Sequence, residues 1–140
     1  MTGWGEEESF VESLLGTFES RISDAHEFAL AQRVLLLRSR NGHDIDIALG
    51  ALPFEESMIE RAVLLPLSSG IKIPCCTAED VFIMKAFAGR LRDWADAESI
   101  AARQDVLNQH YILEQLDPLC ELRDDRETPL RAKSILADMP

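Results

Sequence analysis

The chain has 140 residues, of which 46% are hydrophobic and 28% charged, an ordinary balance for a globular domain that can form a core. It carries 14 basic and 25 acidic residues, a net charge of −11, which excludes generic electrostatic binding to nucleic acid or to an anionic membrane. Its apolar runs are too short to span a bilayer, and its first ten residues have neither region of a signal peptide. The three cysteines form no CxxC pattern, so we expect reduced thiols in a cytoplasmic protein.

The N-terminal quarter of the sequence predicts mainly helix. Apolar residues at helical spacing indicate a helix over residues 6–18, with glutamates at its positive end. Residues 19–32 are less regular. Ser23-Asp24 indicates a break, and residues 28–31 fit either a short helix or the approach to a strand.

Residues 33–50 predict a β-hairpin. An apolar run is followed by Asn41-Gly42 and then by aspartates that alternate with isoleucines. Asn-Gly is the strongest signal for a two-residue type I′ turn, because both of its residues need positive φ. Such a loop would pair Leu37 with Asp46 and place that carboxylate on a face with leucines. Because an unpaired buried charge is costly, Asp46 then needs a functional reason.

The remainder of the chain predicts a second hairpin and a series of helices. A helix over residues 54–63 precedes short strands over 63–67 and 71–75, whose prolines suit edge positions. Thr77 and Asp80 form a capping box that begins the clearest helix, and Gly89 ends it. Further helices are expected over residues 90–103, 111–122 and 128–137. The class is α+β, in one domain over 1–140, with a mixed core to residue 105 and C-terminal helices over 106–140.

Asp44 and Asp46 are the first candidates for chemistry. As Asp-x-Asp on a strand they send both carboxylates to one face, where they could bind one or two divalent metals such as Mg²⁺. The alternative is a solvent-facing pair on an amphipathic strand.

Lys85 is the second candidate, because it interrupts the otherwise apolar run of residues 81–88. It could neutralise a phosphate at the wall of a cleft, or its stem could simply cover apolar surface. Arg90, Arg92 and Asp93 follow Gly89. They could add a second phosphate contact, form a structural ion pair, or be a solvated start of a helix.

Three segments together resemble the minimal nucleotidyltransferases, the group that contains AbiEii-type toxin proteins. These segments are residues 34–50, residues 52–63 (LPFEESMIERAV) and residues 77–98 (TAEDVFIMKAFAGRLRDWADAE). The most specific element is AED, four apolar residues, Lys85, two apolar residues, AGR, and then RDxxD. The resemblance covers about residues 18–103.

The resemblance implies a nucleotidyltransferase-like mixed sheet packed with helices, and transfer of a nucleotide from a nucleoside triphosphate with Mg²⁺. Ile45-Asp46-Ile47 is similar to the third carboxylate position of that family, so Asp46 would be catalytic and, with Asp44, would bind the metal. Lys85 is similar to the family's helix lysine, and with Arg90 it would contact the nucleotide.

The sequence departs from the family upstream of this hairpin. The family's Gly-Ser turn and first Asp-x-Asp motif should precede it, and residues 1–32 supply neither. A competing alignment makes residues 44–46 the first motif itself, but no Gly-Ser turn precedes them and no carboxylate follows on the later strands.

The sequence therefore leaves two alternative functions. One is a nucleotidyltransferase domain that is incomplete or inactive in this chain, with a nucleoside triphosphate as its ligand. The other is a non-catalytic interaction or toxin–antitoxin module of the same fold, which binds a protein partner or forms a homo-oligomer. Neither function implies a membrane or generic nucleic-acid binding.

Overall fold

A computed structural model describes residues 5–50 and 52–139, and the contacts group into two compact units, Met1–Ile59 and Glu60–Pro140. In this described part, seven helices accompany two antiparallel sheets, which confirms the α+β class. A nucleotidyltransferase-like mixed sheet stays a prediction, as does a single domain over residues 1–140. Residues 1–4, which belong to the N-terminal segment expected to lack a leader, lie outside the described residues.

The first unit consists of helices around a three-stranded antiparallel sheet in the order β1-β2-β3. The irregular stretch before the hairpin resolves into a two-residue strand and a helix, and the short strand was not predicted from the sequence. The elements are α1 (Glu7–Leu15), β1 (Glu19–Ser20), α2 (Ala25–Gln32), β2 (Val34–Arg38), β3 (Asp44–Ala48) and α3 (Pro53–Glu60).

The core of the first unit lies on one face of this sheet. Leu35 and Leu37, alternate residues of β2, are fully buried in one cluster with Val11 of α1 and Ala29 of α2. Successive side chains of a strand point to opposite faces, so the burial of these two leucines places their neighbours on β2 on the other face. The charged side chains of the sheet are on that second face.

Arg33 links α2 to β2 in a left-handed conformation, with φ of 57°. Its side chain donates to the carbonyl oxygens of Leu49 and Gly50 and to the Glu7 carboxylate. These contacts tie the far end of β3 to the first turn of α1. The arginine thereby satisfies carbonyls that the end of the strand leaves unpaired.

The second unit contains a two-stranded hairpin and four helices. Helix α4 packs against α5, α6 and α7, and its Phe82, Ile83 and Ala86 are fully buried, as expected for a helix that is apolar on all sides. None of the helices in residues 5–50 and 52–139 has the length and apolar character that crossing a membrane requires. The elements are β4 (Val63–Pro66), β5 (Lys72–Cys75), α4 (Ala78–Ala88), α5 (Leu91–Arg103), α6 (Gln109–Glu121) and α7 (Glu127–Ala137).

Candidate functional site

The turn between β2 and β3 differs from the predicted type I′ turn. Ser39 N–H donates to the His43 carbonyl at 2.8 Å, and Gly42 N–H donates to the Ser39 carbonyl at 2.9 Å. These bonds close a three-residue loop, in which a type I turn is followed by Gly42 at φ of 85°. Only the glycine of the Asn41-Gly42 pair has positive φ. The prediction of a two-residue loop is therefore wrong.

The extra loop residue shifts the strand register by one position. Leu37 lies opposite Ile45, and Asp46 lies opposite Leu36, whereas the two-residue loop would have paired Leu37 with Asp46. A shift of one residue moves every side chain to the other face of a strand. Asp46 is consequently not on the leucine-lined core face, and the expected burial of its carboxylate is wrong. Its side chain is 64% exposed, and that of Asp44 is 52% exposed.

Two arginines pair with these aspartates on the outer face of the sheet. Arg21, which follows β1, reaches both carboxylates, at 3.1 Å to Asp44 Oδ2 and 2.9 Å to Asp46 Oδ1. Arg38, directly opposite Asp44, donates from Nε to Asp44 Oδ1 at 2.9 Å. The hydrogen bond from Arg38 is the main reason that the pKa of Asp44 is lowered, and Arg21 adds to the effect. The same bond raises the pKa of Arg38.

The donor set at Asp44 and Asp46 does not fit Mg²⁺ as it stands. Mg²⁺ requires near-octahedral oxygen ligands at about 2.0–2.1 Å. Three of the four carboxylate oxygens already accept from Arg21 or Arg38, and a guanidinium lies between the two side chains. Among residues 5–50 and 52–139, no group of three or more acidic, histidine or cysteine side chains is arranged to bind a metal. The two aspartates are brought together, but as partners of arginine.

Lys85 lies on α4, a helix whose two ends are fixed by Thr77 and Gly89. The Thr77 hydroxyl accepts from Asp80 N–H at 3.2 Å, Thr77 N–H donates to Asp80 Oδ2 at 3.3 Å, and Gly89 ends the helix at φ of 68°. The predicted capping box and stop are confirmed. The chain then turns into α5, whose first turns face back toward Lys85.

The ammonium group of Lys85 lies between two carboxylates of α5. Its Nζ is 3.2 Å from Asp93 Oδ1 and 2.7 Å from Asp96 Oδ2. The hydrogen bond to Asp96, followed by that to Asp93, raises the pKa of Lys85, and the same contact lowers the pKa of Asp96. The lysine and the RDxxD aspartates of the motif thus form an ion triad that fastens α4 to α5.

Arg90 is exposed at the N-cap of α5 and makes no ion pair with any residue that the structure describes. It remains a candidate for binding an anion. Asp44 and Asp46 belong to the first unit, and Lys85 and Arg90 belong to the second.

A buried polar cluster in the second unit was not predicted as a whole. Asp80 is fully buried and accepts from the Tyr111 hydroxyl at 2.9 Å through its second carboxylate oxygen, Oδ1. Arg61 stacks on the Tyr111 ring at 3.6 Å, and its Nη1 lies 3.7 Å from Asp80 Oδ1. The capping pattern identified Asp80, but no local signal identifies a tyrosine 31 residues further along the chain.

Comparison of the chain with protein-family models, with curated proteins and with solved structures found no significant match.

Proposed function

We propose that this chain is a nucleotidyltransferase-superfamily domain that is incomplete by itself and does not transfer nucleotides alone. One observation carries the proposal: Asp44, Asp46 and Lys85, which the family resemblance assigns to metal and phosphate binding, are each paired with an opposite charge of the chain. A charged group must exchange an existing partner before it can bind a ligand. The expected ligand is a nucleoside triphosphate, which would engage Lys85 and Arg90.

Nucleotide binding and turnover test this function separately. We expect weak binding of ATP in the presence of Mg²⁺, and turnover no faster than in a blank without protein. Lys85→Gln should weaken ATP binding, because it removes the ammonium, whereas Lys133→Gln, at an exposed position of α7, should leave the affinity unchanged. Isothermal titration calorimetry gives the affinities, and release of pyrophosphate gives the turnover.

Three results would contradict the proposal. Turnover that Asp46→Asn abolishes would make the chain a complete enzyme. If Lys85→Gln and Lys133→Gln weaken ATP binding equally, Lys85 is not a nucleotide-binding residue. If the chain has turnover that Asp46→Asn leaves unchanged, Asp46 is not catalytic, and the assignment from the family resemblance is wrong.

The second candidate function is a non-catalytic module that pairs with a second copy of the chain through the β4–β5 hairpin. One face of this hairpin is apolar, uncharged and exposed. Its five aliphatic side chains range from 39% to 59% exposed, and its cysteine is partly buried. Isolated hairpins of this size normally gain stability by covering such a face. The face consists of Val63, Leu65, Leu67, Ile71, Ile73 and Cys75.

The edges of the hairpin restrict how a second copy can bind. Leu67 N–H donates to the Ile71 carbonyl, so these two residues form a hydrogen-bonded pair. Hydrogen-bonded and non-hydrogen-bonded pairs alternate along an antiparallel ladder, so the nitrogens of Pro66 and Pro74 point away from the partner strand, toward the outer edges of the hairpin. Proline has no N–H, so neither edge offers an uninterrupted row of donors for an added strand. Two copies would therefore pack face to face, where the absence of charge avoids repulsion between chains of net charge −11.

Sedimentation velocity over a range of concentrations tests this second function. We expect a reversible monomer–dimer equilibrium, which Leu65→Lys on the apolar face disrupts. Leu64→Lys on the opposite face of the same strand is the matched control and should leave it intact. A concentration-independent monomer, or equal effects of the two variants, would exclude this face as the dimer contact.

A further inference from the structure

We propose that the Arg21 guanidinium takes the place of a divalent cation between Asp44 and Asp46, so that the chain closes this position with its own side chain. The inference rests on the proposed function only in the choice of ion, since the family resemblance implies a divalent metal at these aspartates. It concerns Arg21, a residue outside every motif of the sequence.

The geometry of Arg21 is that of a bridge between the two carboxylates. Its backbone N–H donates to the Leu36 carbonyl, and Leu36 lies opposite Asp46, so the arginine side chain extends across β2 toward β3. One terminal nitrogen then lies 3.1 Å from Asp44 and the other 2.9 Å from Asp46. The two terminal nitrogens of a planar guanidinium can each donate to a different carboxylate in this way.

The position of Arg21 also differs from that of an incidental surface ion pair. Its side chain is 19% exposed, while the two carboxylates that it joins are 52% and 64% exposed. The arginine is therefore packed onto the sheet beneath solvent-accessible oxygens. The Arg21 guanidinium therefore already occupies the space between the two carboxylates that a cation from solvent would need.

The charges on this face agree with a cation supplied by the protein. Glu19, Asp44 and Asp46 carry three negative charges, and Arg21 and Arg38 carry two positive ones, which leaves −1. Without Arg21 the same face carries −2, the charge that one divalent cation neutralises. Arg21 thus competes with such an ion both for space and for charge.

Titration with Mn²⁺ alone, without nucleotide, tests the inference. Electron paramagnetic resonance of unbound Mn²⁺ gives the affinity for the full chain and its variants. We expect Arg21→Gln to bind Mn²⁺ at least about tenfold more tightly than the wild type, because a positive charge a few ångströms from the ion is removed. The combination Arg21→Gln with Asp46→Asn should lose that gain, which places the ion at the aspartates.

The matched control is Arg40→Gln in the loop of the same hairpin. It changes the net charge by the same amount, and Arg40 makes no ion pair with any described residue. Arg40→Gln should not gain Mn²⁺ binding. Equal gains in Arg40→Gln and Arg21→Gln would show a general effect of charge and overturn the proposal.

Three further outcomes are decisive. The proposal fails if the wild type binds Mn²⁺ as tightly as Arg21→Gln does and if the single substitution Asp46→Asn abolishes that binding. It also fails if folded Arg21→Gln, verified by circular dichroism, binds no better than wild type. Should Arg21→Gln not fold, Arg21→Met replaces it, because methionine keeps an apolar stem on the sheet and removes the charge. Binding stronger than in wild type is expected, and unchanged binding is contradictory. Because no nucleotide is present, failure to bind ATP would refute the proposed function without affecting this result.

Discussion

Asp80 shows how a single residue can serve both the end of a helix and the interior of a unit. Its backbone N–H and one carboxylate oxygen complete the cap with Thr77, while the other oxygen accepts from Tyr111. A fully buried carboxylate is tolerated only when its oxygens are satisfied in this way. Arg61 provides the positive charge at 3.7 Å and stacks on the same tyrosine.

Replacing Asp80 should therefore destabilise the protein more than replacing an exposed aspartate. We expect Asp80→Ala to lower the free energy of unfolding by about 3 kcal/mol, because the cap is lost and Tyr111 is left without its acceptor. Tyr111→Phe should cost about 2 kcal/mol, because it leaves one oxygen of a buried carboxylate without its hydrogen bond. Urea denaturation followed by circular dichroism measures both.

Asp105→Ala, at an exposed position before α6, is the control and should change the stability by less than about 0.5 kcal/mol. A double-mutant cycle of Asp80→Ala and Tyr111→Phe should show coupling, since the two residues share the bond. Additive losses would mean that the contact between them contributes nothing.

Among the elements, the β2–β3 hairpin depends on one glycine. Gly42 has φ of 85°, in the region that L-residues avoid, and a Cβ added there would meet no atom within 4 Å. The constraint on this position is therefore conformational and not steric. Gly16, at the end of α1, has φ of −72°, which any residue adopts.

Substitution of these two glycines by alanine should have opposite effects. Gly42→Ala should destabilise by about 1 kcal/mol, because it forces a Cβ into the left-handed region. Gly16→Ala should be neutral or stabilise by up to about 1 kcal/mol, because alanine restricts the unfolded chain without strain. Thermal unfolding of the two variants measures the difference. Equal effects would indicate that the turn is not the one described.

The same hairpin explains where prediction from the sequence succeeds and where it fails. Apolar periodicity, the capping box and Gly89 specify the helices, and the apolar run and alternating aspartates specify the strands. Asn41-Gly42 is compatible with both a two-residue and a three-residue loop, and choosing between them changes which face Asp46 occupies. The pairing of Asp46 with Arg21 depends on that register and on a two-residue strand that carries too few residues for a pattern.

For the whole molecule, carboxyl groups with a lowered pKa and a lysine with a raised pKa set the pH range in which the protein is stable. The Lys85 hydrogen bond lowers the pKa of Asp96, and the Arg38 hydrogen bond lowers that of Asp44. A hydrogen bond from the Thr128 backbone, followed by that from its hydroxyl, lowers the pKa of Asp125, which accepts from N–H groups in the first turn of α7. Each of these carboxyl groups binds a proton more readily in the unfolded chain than in the folded protein.

Stability should therefore fall at both extremes of pH. Carboxyl groups with lowered pKa contribute fully above their ordinary value of 3.8, and this contribution is lost as the pH falls through the folded pKa. Lys85, with a raised pKa, contributes fully below its ordinary value of 10.5, and its contribution is lost as the pH rises through the higher folded pKa. Burial raises the pKa of the Cys120 thiol, so its contribution is lost as the pH rises above its ordinary value of 9.0. Urea midpoints should therefore decline below pH 3.8 and above pH 9.0.

The Lys85 triad offers a matched pair of variants for this pH dependence. Asp96→Asn removes the carboxylate closest to the Lys85 ammonium, so the urea midpoint should be lower than in wild type at neutral pH. The further decrease of the midpoint below about pH 4 should be smaller than in wild type. Asp105→Asn, at an exposed site, should keep the wild-type profile. If Asp96→Asn retains the wild-type loss in acid, the Lys85–Asp96 pair adds nothing to the stability, because a group that contributes through its pKa must change the slope when it is removed.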